Sequence, residues 1–224
     1  MNHIEYLTSL YDLRNRQVVD VGAGNGSFAR AMASRGAIAC GIEIEADKVA
    51  AAAREIGADI TMLEGRGEAL PLDDGSQDLV CYVFSFHHVP LDLQASALDE
   101  VRRVLKSGGR LHVVDPLARG AMTEVVKLVD DETEVRNASQ ARLDNLAGEG
   151  VFELITKDEY TLTRCYGDFD AFIKTVVSVD PARAARLPSV MSDMEQRFHQ
   201  LGRGTADGFE LDQPCVAYHF ALAG

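Results

Sequence analysis

The chain has little cysteine, no tryptophan and no long apolar run. Its four cysteines stand singly, and no Cys-x-x-Cys pair or Cys/His spacing indicates a zinc site, so no metal is predicted. A disulfide framework is not expected either, and a reducing cytoplasm fits this cysteine usage best. No segment reaches the ~18 consecutive apolar residues of a membrane-spanning helix, and the first residues lack the basic start and apolar stretch of a signal peptide. We therefore expect a cytoplasmic chain without a membrane span.

Positive charge is also scarce, with 22 lysines and arginines against 35 acidic residues and a formal net charge of −13. The densest basic stretch, Arg102 and Arg103 with Lys106, is typical of a solvated helix face. Because phosphate binding needs clustered lysine and arginine, no nucleic-acid partner is expected. The 224 residues, of which 46% are hydrophobic, predict one α/β domain over 1–224.

One segment, residues 18–32, has the pattern of a strand, a glycine turn and the start of a helix. Val18–Val21 form a short β-branched run, as a buried parallel strand requires. Gly22, Gly24 and Gly26 then supply a tight turn in which the backbone can touch a ligand. Such a turn directs free N–H groups and a helix N-terminus at one point, which suits an anionic or carboxylate-bearing ligand.

The glycine spacing selects among ligands. The glycines follow G-x-G-x-G, and Ser27 stands where a dinucleotide fingerprint would place its third glycine. Asp20 precedes the first glycine by two positions, and Glu43 ends the next strand-like run, where a carboxylate can accept hydrogen bonds from ribose hydroxyls. This combination resembles motif I and the acidic ribose site of class I S-adenosylmethionine (SAM) dependent methyltransferases. An ordinary βα turn and a nicotinamide or flavin site are the alternatives.

Two further segments make this resemblance more specific. Residues 67–80 look like the loop and fourth strand of the small-molecule branch, which includes ubiquinone and menaquinone methyltransferases. Residues 98–111 look like the helix and turn that lead into strand five of that family. The resemblance covers residues 15–116, and it implies binding of SAM at Asp20, Gly22, Ala23, Gly24, Glu43, Ile44, Gly67, Glu68 and Ser85.

Arg66 departs from the family pattern. Relatives generally carry an acidic residue there, which accepts a hydrogen bond from the adenine amino group, and arginine cannot accept one. The adenine would then be held by the Gly67 N–H with Ile44 on its face, or Glu68 would turn inward.

Strand and helix patterns alternate as far as residue 114, which favours a doubly wound parallel sheet. The resemblance implies a Rossmann-like, seven-stranded mixed sheet flanked by helices. Residues 117–150 break the alternation and are predicted to be a helical insert that covers the site. Helices are predicted over 2–13, 27–34, 46–55, 91–105, 122–146, 169–178 and 189–201, with glycine caps at 107–109 and a turn-rich loop at 201–208.

Three polar side chains at the ends of strands four and five are the candidates for acid–base chemistry. His87 and His88 follow strand four, where open α/β sheets place ligands, and histidine can take a proton near neutral pH. Strand alternation favours His87 in the pocket, with His88 turned away. Asp115 ends strand five beside the same crevice. Each histidine is a base or a loop-packing residue, and Asp115 orients an acceptor or caps a loop.

We expect SAM-dependent methyl transfer to a small-molecule acceptor by in-line displacement, a reaction governed by positioning. Two other classes stay open. One is a SAM-binding regulator or partner subunit without turnover, and the other is a nicotinamide-dependent oxidoreductase. The expected partner is a small-molecule substrate, and a homodimer is compatible with the sequence.

Overall fold

The computed structural model describes residues 2–56 and 60–223, apart from the side chains of residues 55 and 56. The α-helices are α1 His3–Leu10, α2 Ser27–Ala33, α3 Ala46–Ile56, α4 Gln94–Val104, α5 Ala121–Val126, α6 Thr133–Leu146, α7 Phe169–Val179 and α8 Leu187–Leu201. The strands are β1 Gln17–Val21, β2 Ile38–Glu43, β3 Thr61–Glu64, β4 Gln77–Val83, β5 Leu105–Pro116, β6 Phe152–Tyr166, β7 Arg203–Thr205 and β8 Gly208–Leu222.

The strands form one sheet in the order β3-β2-β1-β4-β5-β8-β6, with β7 paired to β8. The pairs among β1 to β5 are parallel, and β7 runs antiparallel to β8. The Rossmann-like mixed sheet is therefore confirmed. Since neighbouring parallel strands end at the same edge, the segments after β1, β2, β4 and β5 meet there.

Several predicted boundaries were wrong. Helix α1 stops at Leu10 because Tyr11 is extended, although the prediction continued to residue 13. Helix α4 ends at Val104, since Leu105 is extended and pairs with Gln77. The predicted glycine caps lie within β5 instead, where Gly108 has a φ of +75°. The turn-rich loop contains β7, which forms a hairpin with β8.

The chain divides into two compact units. The first comprises residues 1–115, 138–158 and 216–224, and the second comprises 116–137 and 159–215. A core of Leu7, Val18, Met32 and Leu79 holds α1 and α2 on the sheet of the first unit. The second unit has its own core of aromatic and aliphatic side chains, with Phe172, Met194 and Phe198 fully buried.

The predicted helix over 122–146 is two helices, α5 and α6. Residues 122–137 belong to the second unit and residues 138–146 to the first. That this insert covers a site stays a prediction. Across the residues with described structure, none of the helices has the length and apolarity that crossing a membrane requires.

Candidate active site

The glycine turn and Glu43 meet at the carboxyl edge of the sheet. The amides of Gly22 and Ala23 donate to the carbonyl of Ile42 at 2.8 and 2.9 Å. The amide of Gly24 donates to Glu43 Oε2 at 2.8 Å. The parallel pairing of Val21 with Ile42 brings these groups together, although 19 residues separate the two partners of the last bond.

Two glycines of the turn have a positive φ, and the first of them is also crowded by a neighbouring side chain. Gly22 has a φ of +75°, and a Cβ there would lie 2.5 Å from the Cβ of Ser85. Gly24 has a φ of +54°, and no described atom lies within 4 Å of the place its Cβ would take. The backbone at Gly24 is therefore open to a ligand.

Ser85 supports this turn from below. It is buried, and its hydroxyl donates to the carbonyl of Val21 at 2.6 Å. The predicted SAM-binding residue thus lies against Gly22, with its hydroxyl proton committed to the main chain. Its direct contact with a ligand stays a prediction.

Both carboxylate oxygens of Glu43 are already ordered by main-chain amides. Oε1 accepts from Ile44 at 2.9 Å and from Glu45 at 3.3 Å, while Oε2 accepts from Gly24. An ionised carboxylate has about four acceptor positions, and these amides use three of them, so one position stays open to a ribose hydroxyl. The neighbouring Ile44 side chain is exposed, as packing against an adenine face would require.

Asp20 lies inside the fold behind the turn and is 2% exposed. Burial raises the pKa of its carboxyl to about 7, and the charge of Glu43 adds to this rise. The nearby amide of Ala29 opposes it by donating a hydrogen bond to the carboxylate. A negative charge at Asp20 would attract a cationic ligand, but the residue does not lie at the surface of the turn.

The loop after β3 carries Arg66 and Gly67, and Gly67 lies beside the buried hydroxyl of Tyr82. Arg66 is exposed and lies 3.9 Å from Glu68, so it points to solvent and to that carboxylate. A Cβ at Gly67 would lie 3.0 Å from the Tyr82 hydroxyl. This hydroxyl is buried without a hydrogen-bond partner among the described residues, and burial raises its pKa. The Gly67 backbone, Glu68 and Tyr82 therefore form the polar surroundings at this loop.

His87 and Asp115 form a buried pair at the ends of β4 and β5. His87 Nδ1 lies 2.7 Å from Asp115 Oδ1. The other oxygen, Oδ2, accepts from the hydroxyl of Ser139 on α6 at 3.3 Å. His87 is 4% exposed, and both Asp115 and Ser139 are 0% exposed. The three side chains therefore form a continuous, dry hydrogen-bonded chain.

Strand alternation was the wrong argument for choosing His87 over His88 as the residue that lines the pocket, and that choice stays a prediction. His87 and His88 lie in a 3₁₀ turn, Phe86–His88, where strand alternation does not apply. His88 is exposed, and its ring lies 4.1 Å from that of His87. Ser139 escaped the sequence analysis because a serine inside a polar helix forms no motif.

Helix α1 lies close to the turn through aromatic contacts. The ring of His3 lies 4.9 Å from Phe84 and 6.5 Å from Phe28. Phe84 has a positive φ of 59°, a strained conformation for a bulky residue. No sequence signal marks Phe84 as special, since the strain arises where β4 ends.

Comparisons with known proteins agree with this geometry. Residues 19–113 match a family model described as a methyltransferase domain. The protein YafE of Escherichia coli is 37% identical over 105 residues, which are 45% of this chain and 49% of YafE. A demethylmenaquinone methyltransferase of Chlorobaculum tepidum is 32% identical over 118 residues, 52% of this chain and 48% of that enzyme. The chain thus spans about half the length of these relatives.

A solved structure extends the likeness of the fold to the whole chain. The YcgJ protein of Bacillus subtilis superposes with a TM-score of 0.67 at 21% identity, covering 99% of this chain and 98% of that one. At this identity the match concerns the fold alone.

Proposed function

We propose that the chain is a class I, SAM-dependent methyltransferase that transfers the methyl group of SAM to a small-molecule acceptor, since residues 19–113 match a methyltransferase domain. The observation that carries this proposal is the hydrogen bond from the Gly24 amide to the Glu43 carboxylate. It joins the open backbone at Gly24 to the acid that suits a ribose. The free N–H groups expected of this turn are not found at Gly22, Ala23 and Gly24, whose amides donate to acceptors within the fold.

The residues at this edge match the parts of SAM in chemical character. The open backbone at Gly24 suits the methionine end, and Glu43 suits the ribose hydroxyls. The exposed Ile44 suits one face of the adenine, while the Gly67 amide and Glu68 suit its edge. Asp20 adds negative potential behind the turn when it is ionised, which favours a sulfonium.

The acceptor would react near the ends of β4 and β5. Ser85, which packs on Gly22, precedes His87 by only two residues, so the turn and the His87–Asp115 pair are close neighbours in the fold. His87, His88 and Asp115 are the proposed acid–base residues. The acidic net charge argues against nucleic acid as the acceptor.

Calorimetry with the purified protein tests the binding part of this proposal. SAM and its demethylated product should bind in the low micromolar range or tighter, at roughly −8 kcal/mol. NAD should produce no comparable heat, because the glycine spacing is not that of a dinucleotide site. Absence of binding at millimolar SAM would contradict the proposal, and saturable binding of NAD would favour the oxidoreductase.

Turnover is tested separately from binding. Protein incubated with methyl-labelled SAM and a low-molecular-mass cell extract should transfer label to a small molecule, whereas heated protein should not. Binding of SAM without any transfer would favour the regulator over the enzyme.

A further inference from the structure

We infer that Ser139, Asp115 and His87 form a proton relay in which His87 is the general base, so that the acceptor is a weakly acidic hydroxyl group. This inference rests on the proposed function and names the acceptor class of the same site. Ser139 and Asp115 are positioning residues, because they act on the acceptor only through His87.

The geometry fixes the direction of the relay. In the proposed relay Asp115 is the acceptor, so the 2.7 Å contact is a hydrogen bond from Nδ1–H of the imidazole to Oδ1. The lone pair of the neutral ring is then on Nε2, the nitrogen that Asp115 does not engage. Ser139 donates to the second oxygen of Asp115 at 3.3 Å and holds the carboxylate in place. One tautomer and one ring orientation are therefore selected before any acceptor binds.

Burial strengthens the hydrogen bonds of this relay. All three side chains are nearly or fully inaccessible to water, and charged hydrogen bonds are stronger in such surroundings. A positive charge formed on His87 would be stabilised by the Asp115 carboxylate at hydrogen-bond distance. The chain thus contains a base whose protonated form already has its counter-ion.

The reaction balances without a further reagent. His87 Nε2 takes the hydroxyl proton, while an electron pair of the acceptor oxygen forms the new bond to the methyl carbon. SAM supplies that methyl group, and the electrons of the broken carbon–sulfur bond stay on sulfur, which leaves as a neutral thioether. The proton is later released to solvent, which restores neutral His87.

This relay favours a hydroxyl acceptor over a neutral amine. A neutral amine already presents a nucleophilic lone pair and can lose its proton after transfer. A phenolic or enolic hydroxyl is a weak nucleophile until its proton is removed, so a preoriented base lowers its barrier, typically by ~10²–10⁴-fold in rate. A preoriented base such as His87 is therefore needed for methylation of a hydroxyl group and not for methylation of a neutral amine.

The test uses methyl-labelled SAM with two pairs of probes, 4-hydroxybenzoate with 4-aminobenzoate, and 4-methylphenol with 4-methylaniline. We expect transfer to a hydroxyl probe and none to its amino counterpart. His87→Ala should lower kcat by about 10²-fold or more with unchanged affinity for SAM. The exposed His199→Ala serves as the matched control and should keep kcat.

The positioning residues are separated from structural ones by the split between kcat and KM. Asp115→Asn should lower kcat by about 10²-fold or more at constant KM, because an amide can donate to Nδ1 and select the wrong tautomer of His87. Ser139→Ala should lower kcat about tenfold at constant KM, because Asp115 loses a hydrogen-bond donor. Ser189→Ala, which removes a hydroxyl that donates to the Arg186 carbonyl, should change neither quantity.

The outcomes distinguish this inference from the proposed function. Failure to bind SAM would contradict the proposed function itself. Protein that binds SAM but methylates an amino probe, or no hydroxyl probe, overturns the relay. The same holds if His87→Ala or Asp115→Asn retains the kcat of the wild type.

Discussion

At the residue scale, the conformation of Gly24 decides whether the turn after β1 can receive a ligand. A valine there would have to adopt a φ near +54° and would fill the open space beside the backbone. Gly24→Val should therefore abolish SAM binding, weakening it at least about 100-fold, a loss that calorimetry would detect.

Gly75 offers a matched control for this change. Its φ is +59°, and none of the described atoms lies within 4 Å of the place of its Cβ. Both valine variants should lose about 1–3 kcal/mol of unfolding free energy to backbone strain. Only Gly24→Val should lose affinity for SAM. Equal SAM affinities of the two variants would show that the turn has a structural role only.

Glu43 is the second residue whose role can be measured directly. Its carboxylate both orders the Gly24 amide and is proposed to accept from ribose hydroxyls, with charge-assisted bonds worth about 1.5–3 kcal/mol each. Glu43→Ala should weaken SAM by tenfold or more in calorimetry. Glu45→Ala, which removes an adjacent exposed carboxylate, should leave the affinity unchanged, and a shared loss would indicate a general charge effect.

At the scale of elements, α1 docks on the sheet through a layer of buried histidine and tyrosine rings. His112 on β5 stacks with Tyr6 at 5.9 Å and lies 5.5 Å from His219 on β8. Tyr6 also donates its hydroxyl to Asp158 on β6 at 2.6 Å. Burial lowers the pKa of His112 to about 3, and the charges of His219 and His3 add to this decrease.

The lowered pKa of His112 predicts how the stability of the folded protein changes with pH. Between about pH 6.5 and 3 the unfolded chain holds a proton on His112 that the folded protein excludes, so stability decreases as pH decreases. His112→Phe keeps a ring beside Tyr6 and removes the titration. From pH 7 to 4 the variant should lose about 3 kcal/mol less than wild type in urea unfolding.

Amide exchange supplies an independent measurement of the same effect. Acidification should increase the opening of residues 3–10 in the wild type more than in the variant, after correction for the intrinsic exchange rate. If the wild type and His112→Phe show the same pH dependence in urea unfolding and in amide exchange, the acid sensitivity does not come from His112.

At the scale of the whole molecule, the net charge of −13 is the dominant electrostatic property. Repulsion among the excess carboxylates opposes the compact state, and added salt reduces the Debye length from about 30 Å at 0.01 M to about 8 Å at 0.15 M. Raising NaCl over this range at pH 8 should increase Tm by about 2–4 °C.

The sequence itself provides the control for the salt effect. Near pH 4.8, the isoelectric point of the chain, the net repulsion is absent and the same salt step should leave Tm nearly unchanged. An equal increase at both pH values would point to a specific ion site or to general salting-out.

The sequence by itself determined the strand β1, the glycine turn and the acidic residue at the end of β2. These features depend on short-range rules, since β-branched runs form strands and glycines permit positive φ within a few residues. The same local information predicted the alternation that builds the sheet. It misplaced the end of α4 because pairing of Leu105 with Gln77, a long-range contact, competes there with helix propagation.

Only the tertiary structure decided what surrounds the candidate base. His87, Asp115 and Ser139 are separated by 28 and 24 residues along the chain, and they meet because β4 and β5 are adjacent and α6 carries Ser139 to their ends. Contacts of this kind depend on strand order and packing, which leave no spacing in the sequence. The same holds for Ser85 beneath Gly22. A Cβ at residue 22 would lie 2.5 Å from the Cβ of Ser85, so only a glycine fits there.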